Sequence, residues 1–178
     1  MENKIYCPPA PMNRTLKRLD SIHQRLLETV TPLNERLFAQ PPSENQWSIS
    51  QIVHHLSLVE ERVIGELEKE LVKPPRQLGF LRTLIPTSIV ASRLIRVKSP
   101  KAVTPLDAPV KDANIAKYNA ARNRLKELCA KHGEERLRQT VFNHPFLGEI
   151  HGLATISFVG YHELRHYKQI REVLKKLG

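Results

Sequence analysis

The sequence predicts an all-α protein with four main helices and a long connection between the second and third. Two observations carry this. Apolar residues recur at helical spacing in four separate stretches, and a capping box marks one helix start. The first three stretches are each followed by prolines or a glycine, which end helices.

The chain has 178 residues, which favours one domain spanning 1–178, with residues 1–12 as an extended arm holding Pro8, Pro9 and Pro11. With 40% hydrophobic and 26% charged residues it has the balance of a globular protein large enough to bury a sizeable core. There is no run of 18 apolar residues, so no membrane-spanning helix is expected. The N-terminus lacks the charged-then-apolar build of a signal peptide, which points to the cytoplasm. The two cysteines, Cys7 and Cys129, do not make a disulfide framework, and Cys129 is expected as a small buried residue. A net charge of +10 permits contact with anionic surfaces. The basic residues are spread along the chain, however, without stacking aromatics or a DNA-reading motif, so no specific nucleic-acid partner is expected.

The first stripe runs Leu16, Leu19, His23, Leu26, Leu27, Val30, Leu33 and Leu37, and Pro32 should break it. His23 lies on the apolar side and reads as a satisfied core histidine. The second helix starts at Ser48, which forms a capping box with Gln51, while Trp47 is placed to pack on Ile52. Its stripe is Ile49, Ile52, Val53, Leu56, Val59, Val63 and Leu67, ending near Leu71 before Pro74 and Pro75. Glu60 falls within this apolar face, where a carboxylate needs a partner such as an arginine of a neighbouring helix. Residues 72–110 form the long connection, with a short helix expected between Leu78 and Ile95. A connection of this length can join two parallel helices. The third helix spans Lys111 to Lys131, with Gly133 as its C-terminal cap and His132 as a helix-end cation. An extended piece, Thr140 to Phe142, precedes His144-Pro145-Phe146-Leu147-Gly148. The fourth helix begins near Ile150 or His151 and carries Ile156, Val159, His166, Ile170, Val173, Leu174 and Leu177 on its stripe.

His162 and His166 are four residues apart on this last helix, so their rings share a face and can grip one metal ion. A third ligand must come from elsewhere. At about 100° per residue, His54 points away from the second helix's stripe, toward solvent, and His55 lies on its edge. With the second and fourth helices antiparallel, His55 can meet the His162/His166 pair.

The ordered set resembles the DinB/YfiT-like superfamily of metal-dependent enzymes, in particular its DinB-like branch. It comprises Trp47-Ser48 opening a helix, His55-Leu56 with Glu60 after it, the long middle connection, His144-Pro145-Phe146-Leu147-Gly148, and His162-x-x-x-His166-x-x-Gln169-Ile170. The resemblance implies a four-helix bundle with a long crossover between helices two and three. It also implies a divalent metal ion, zinc or nickel, held by His55, His162 and His166. It further implies a homodimer and a small-molecule substrate, with thiol S-transfer using a low-molecular-weight thiol, or hydrolysis, as the chemistry. Glu60, Glu163, Gln169 and Tyr161 are the candidates for orienting the imidazoles. The competing expectation is a non-catalytic dimeric bundle, an interaction protein with a vestigial or structural metal site.

Overall fold

The computed structural model describes residues 12–79, 87–91, 103–105, 110–144 and 146–178. Cys7 and residues 1–11 of the expected arm lie outside these, and Met12 already belongs to the first helix. Helix α1 (Met12–Val30) buries Leu19, Ile22, Leu26 and Val30. It ends ahead of Pro32, as expected. A short helix α2 (Glu35–Ala39) follows, capped by Asn34, whose Oδ1 accepts from Leu37 N at 2.9 Å, and it buries Phe38. Helix α3 (Ile49–Leu71) starts where the capping box places it. Gln51 N donates to Ser48 Oγ at 3.2 Å and Ser48 N donates to Gln51 Oε1 at 3.0 Å.

Helix α4 extends beyond the expected Lys131 (Lys111–Arg138). Gly133, at φ 74° and ψ 169°, interrupts it, and one further turn resumes before the chain leaves. That backbone conformation suits glycine, so the residue marks a kink rather than the end. The connection to the last helix is a hairpin instead of one extended piece. Strand β1 (Val141–His144) pairs antiparallel with β2 (Gly148–His151), in the register Val141 to His151 and His144 to Gly148. Helix α5 (Gly152–Leu177) is capped by His151, whose Nδ1 accepts from Ala154 N at 3.0 Å. Gly152 is required there, since a Cβ would stand 2.8 Å from the Leu137 carbonyl oxygen. In the described part of the 72–110 connection, a 3-10 turn (Thr87–Ala91) packs along α5. Among the described residues no helix is long and apolar enough to cross a membrane.

Side-chain contacts set the directions of the four long helices. Asn114 bonds the Ser50 carbonyl, Arg122 bonds Glu60, and Arg136 bonds the Leu71 carbonyl, so α3 and α4 run parallel. Thr15 meets Ser157, Arg18 meets Tyr161 and His23 meets Glu163, so α1 and α5 also run parallel. Lys126 reaches Asp20 while Asn119 reaches His23, which places α4 antiparallel to α1. The result is a four-helix bundle in which the long connection crosses over between parallel neighbours.

One buried polar node ties all four of these helices. Arg122 of α4 donates through Nε to Glu60 Oε1 at 2.7 Å and through Nη2 to Glu60 Oε2 at 3.2 Å. Its Nη2 also reaches Glu163 Oε2 of α5 at 3.0 Å, and Nη1 reaches the Leu19 carbonyl of α1 at 3.1 Å. Tyr118 donates its hydroxyl to Glu163 Oε1, and His23 lies 3.3 Å from the same oxygen. Burial raises both carboxyls, Glu163 well above the ordinary range. The two carboxyls face one guanidinium, and the charge of Glu60 adds to the rise of Glu163.

Removing one partner of such a cluster leaves buried charge without compensation. Arg122→Met is therefore expected to cost about 3–5 kcal/mol of stability near neutral pH, and less at pH 5, where the carboxyls can stay protonated. Urea denaturation at both pH values measures this.

Candidate metal centre

His55 stands in the second turn of α3, buried, facing α5. His162 and His166 project from successive turns of α5 to meet it. His162 Nε2 lies 3.4 Å from His55 Nε2 and 3.2 Å from His166 Nε2, and one ligand atom from each ring falls within 4.8 Å of the others. Three nitrogens around one tetrahedral zinc at ordinary bond length would sit about 3.3 Å apart. The spacing therefore fits a small divalent ion.

The outward nitrogens fix the tautomers. His55 Nδ1 lies 2.7 Å from the Val103 carbonyl oxygen, which can only accept, so Nδ1 carries the proton. His166 Nδ1 donates to Gln169 Oε1 at 2.8 Å. Both Nε2 atoms consequently present lone pairs inward toward His162 Nε2. A single proton on His162 satisfies one of these two close contacts at a time, whereas a cation satisfies all three nitrogens. Burial lowers His55, and it lowers His162 well below the ordinary histidine value, with His166 and His55 adding to the effect. Neutral imidazoles are the form that binds metal. Aromatic rings enclose the group. Trp47 lies 5.0 Å from His55 and stacks at 6.4 Å on His166, and Phe158 stacks at 5.5 Å on His162.

Of the four residues considered for orienting the imidazoles, Gln169 is in place. Glu60 and Glu163 instead pair with Arg122 in the buried node. Tyr161 accepts from Arg18 at 2.7 Å. His54 is half-buried rather than fully exposed, and its ring takes no part in the cluster. His23 is satisfied between Glu163 and Asn119, as the sequence suggests. Sequence reasoning missed the Val103 carbonyl, which no residue type signals. It also missed Trp47 as a cover for two imidazoles. Its position just ahead of the helix that carries His55 was the available clue.

Residues 18–170 match the DinB superfamily. The chain belongs to that superfamily. Among relatives, "Uncharacterized protein YuaE" of Bacillus subtilis (strain 168) is 26% identical over 148 residues, covering 82% of this chain and 88% of its own. "Putative metal-dependent hydrolase OB0413" of Oceanobacillus iheyensis is 24% identical over 159 residues, covering 89% and 83%. The fold is similar to that of YfiT from Bacillus subtilis, described as "a probable metal-dependent hydrolase with an unusual four-helix bundle topology". The TM-score is 0.66 at 14% identity, over 100% of this chain and 94% of that one. In this DinB superfamily member the parallel crossover between α3 and α4 is what departs from a simple up-and-down bundle.

Three other histidines, His144 and His151 buried and His23 partly so, make stability depend on pH. Burial pushes His23, His144 and His151 each down to about 4. A histidine lowered in the fold stabilises while neutral. That contribution is complete above about pH 6.5 and is lost toward pH 4, at about 1.4 kcal/mol per pH unit for each ring. Glu60 and Glu163, raised by burial, act in the opposite sense. His151→Asn keeps a capping acceptor but removes one titrating ring. Urea midpoints measured from pH 7 to 4.5 should fall less steeply in this variant than in the wild type.

Proposed function

We propose that the chain is a metal-dependent enzyme of hydrolase type, with a divalent ion held by His55, His162 and His166. The convergence of three neutral Nε2 atoms, two of them aimed by Val103 and Gln169, is the observation that carries this reading. A three-imidazole set leaves coordination positions open, as in catalytic rather than structural sites. Zinc and nickel both suit such a nitrogen set. When bound, the ion supplies Lewis acidity toward water, a thiol or a substrate oxygen.

The chain's own residues bind and orient. Val103 and Gln169 hold two rings in the ligating tautomer, and Trp47 and Phe158 exclude bulk water from their faces. Cys129 is buried in the core and its thiol is pushed up to about 12, chiefly by burial. We infer that the attacking group is exogenous. Water makes the protein a hydrolase and a small thiol makes it an S-transferase, and the name of the Oceanobacillus relative favours the former.

Purified protein reconstituted with zinc or nickel is expected to hold one ion per chain by elemental analysis. His162→Ala and His166→Ala should lose it while remaining helical by circular dichroism. No stoichiometric metal in the wild type would end this reading.

Gln169→Leu removes the acceptor for His166 Nδ1–H without touching a ligand. Loss of such an outer partner weakens metal binding about 10–100-fold, and competition with a chromophoric chelator reads this directly.

A further inference from the structure

His144 lies outside the three-histidine group, yet it is held with unusual definition. Its Nδ1 accepts two backbone bonds, from Phe146 N and Leu147 N, each at 3.1 Å. An atom that accepts carries no proton, so the hydrogen of this neutral ring sits on Nε2. Among the described residues no acceptor meets that N–H. Nor is it one of the enclosed atoms left without a partner, which are Arg18 Nε, His54 Nδ1, Asn114 Oδ1 and Arg136 Nη1. The N–H therefore opens to solvent or to a ligand, although the ring as a whole is only 5% exposed.

The ring stands beside the metal centre. Phe158 packs edge-on against His144 at 4.3 Å and stacks on His162 at 5.5 Å, which makes a row of three rings from the hairpin to α5. Phe146 is exposed at the hairpin tip, 6.0 Å from His144. The hairpin thus presents a fixed neutral donor with an apolar surface next to it. Burial keeps the ring uncharged near neutral pH, so the donor is an N–H without a full charge. Such a donor suits a carbonyl oxygen better than a phosphate, for which charged partners are stronger.

We propose that His144 is a substrate-positioning residue whose Nε2–H donates to a carbonyl oxygen of a substrate held at the three-imidazole centre. This assignment rests on the metal reading above and narrows the substrate class to carbonyl compounds. The acceptor on Nδ1 builds the turn and the donor on Nε2 serves the ligand, so the two roles separate by substitution. His144→Asn retains an oxygen where Nδ1 stands and deletes the distal N–H.

The test uses cobalt-loaded full-length protein with acetohydroxamate as the carbonyl probe and azide as a metal-binding anion without a carbonyl. Binding of each is followed by the visible spectrum. His144→Asn is expected to bind cobalt and azide as the wild type does, and to bind acetohydroxamate about five-fold more weakly, the loss of one neutral hydrogen bond. Should His144→Asn fail to fold, His144→Gln and His144→Met replace it. Both lack the turn acceptor, and only Gln carries a distal N–H, so Gln should bind acetohydroxamate about five-fold more tightly than Met. Equal acetohydroxamate affinity in the compared proteins, or equal weakening of azide, overturns the role of His144 and leaves the metal reading intact. A wild type that takes up no cobalt removes both.

Discussion

A guanidinium shared by two buried carboxylates holds the bundle in register. Arg122 reaches Glu60 on α3, Glu163 on α5 and the Leu19 carbonyl on α1. Buried ion clusters add little net stability compared with apolar packing of the same volume, but they are costly to mispair. Rotating α5 by one residue, about 100°, would strand Glu163 in the apolar core. Because Glu163 directly follows His162, the same constraint fixes where His162 points. The polar node and the three-histidine group thus share one helical azimuth.

The metal centre has a division of labour between side chain and backbone. α5 supplies two ligands and the amide that aims one of them. α3 supplies the third ligand, whose tautomer is set by the crossover through Val103. Apolar rings then line the sides, so the electrostatic influence of the imidazoles on one another is little screened. Burial lowers His162 first and the neighbouring imidazoles add to it, so the group stays ready for a cation at neutral pH.

Much of this was legible from residue patterns. The Ser48–Gln51 box located α3, and helical geometry separated His55 from His54. Glu60 on an apolar face called for a partner such as an arginine of a neighbouring helix, and the structure supplies Arg122. Other features had no distinctive signal. β2 is four residues long and runs directly into a helix capped by histidine, outside the usual serine, threonine, aspartate and asparagine set, so strand and helix start merge in the sequence. Gly133 reads as a stop, and whether a helix resumes beyond it depends on tertiary contacts such as Arg136 with the Leu71 carbonyl. Glu163 and Tyr161 flank His162 in sequence, yet neighbours on a helix face different directions, and both serve the α1 and α4 side.

The Val103 carbonyl has a consequence for how this centre can change over time. Every amino acid at position 103 offers the same oxygen, so point substitution leaves the acceptor for His55 in place. Adding or removing a residue in the crossover shifts which oxygen arrives, and whether any does. The centre is accordingly tolerant of drift in the crossover's composition and intolerant of drift in its length near residue 103, although that segment contributes no ligand.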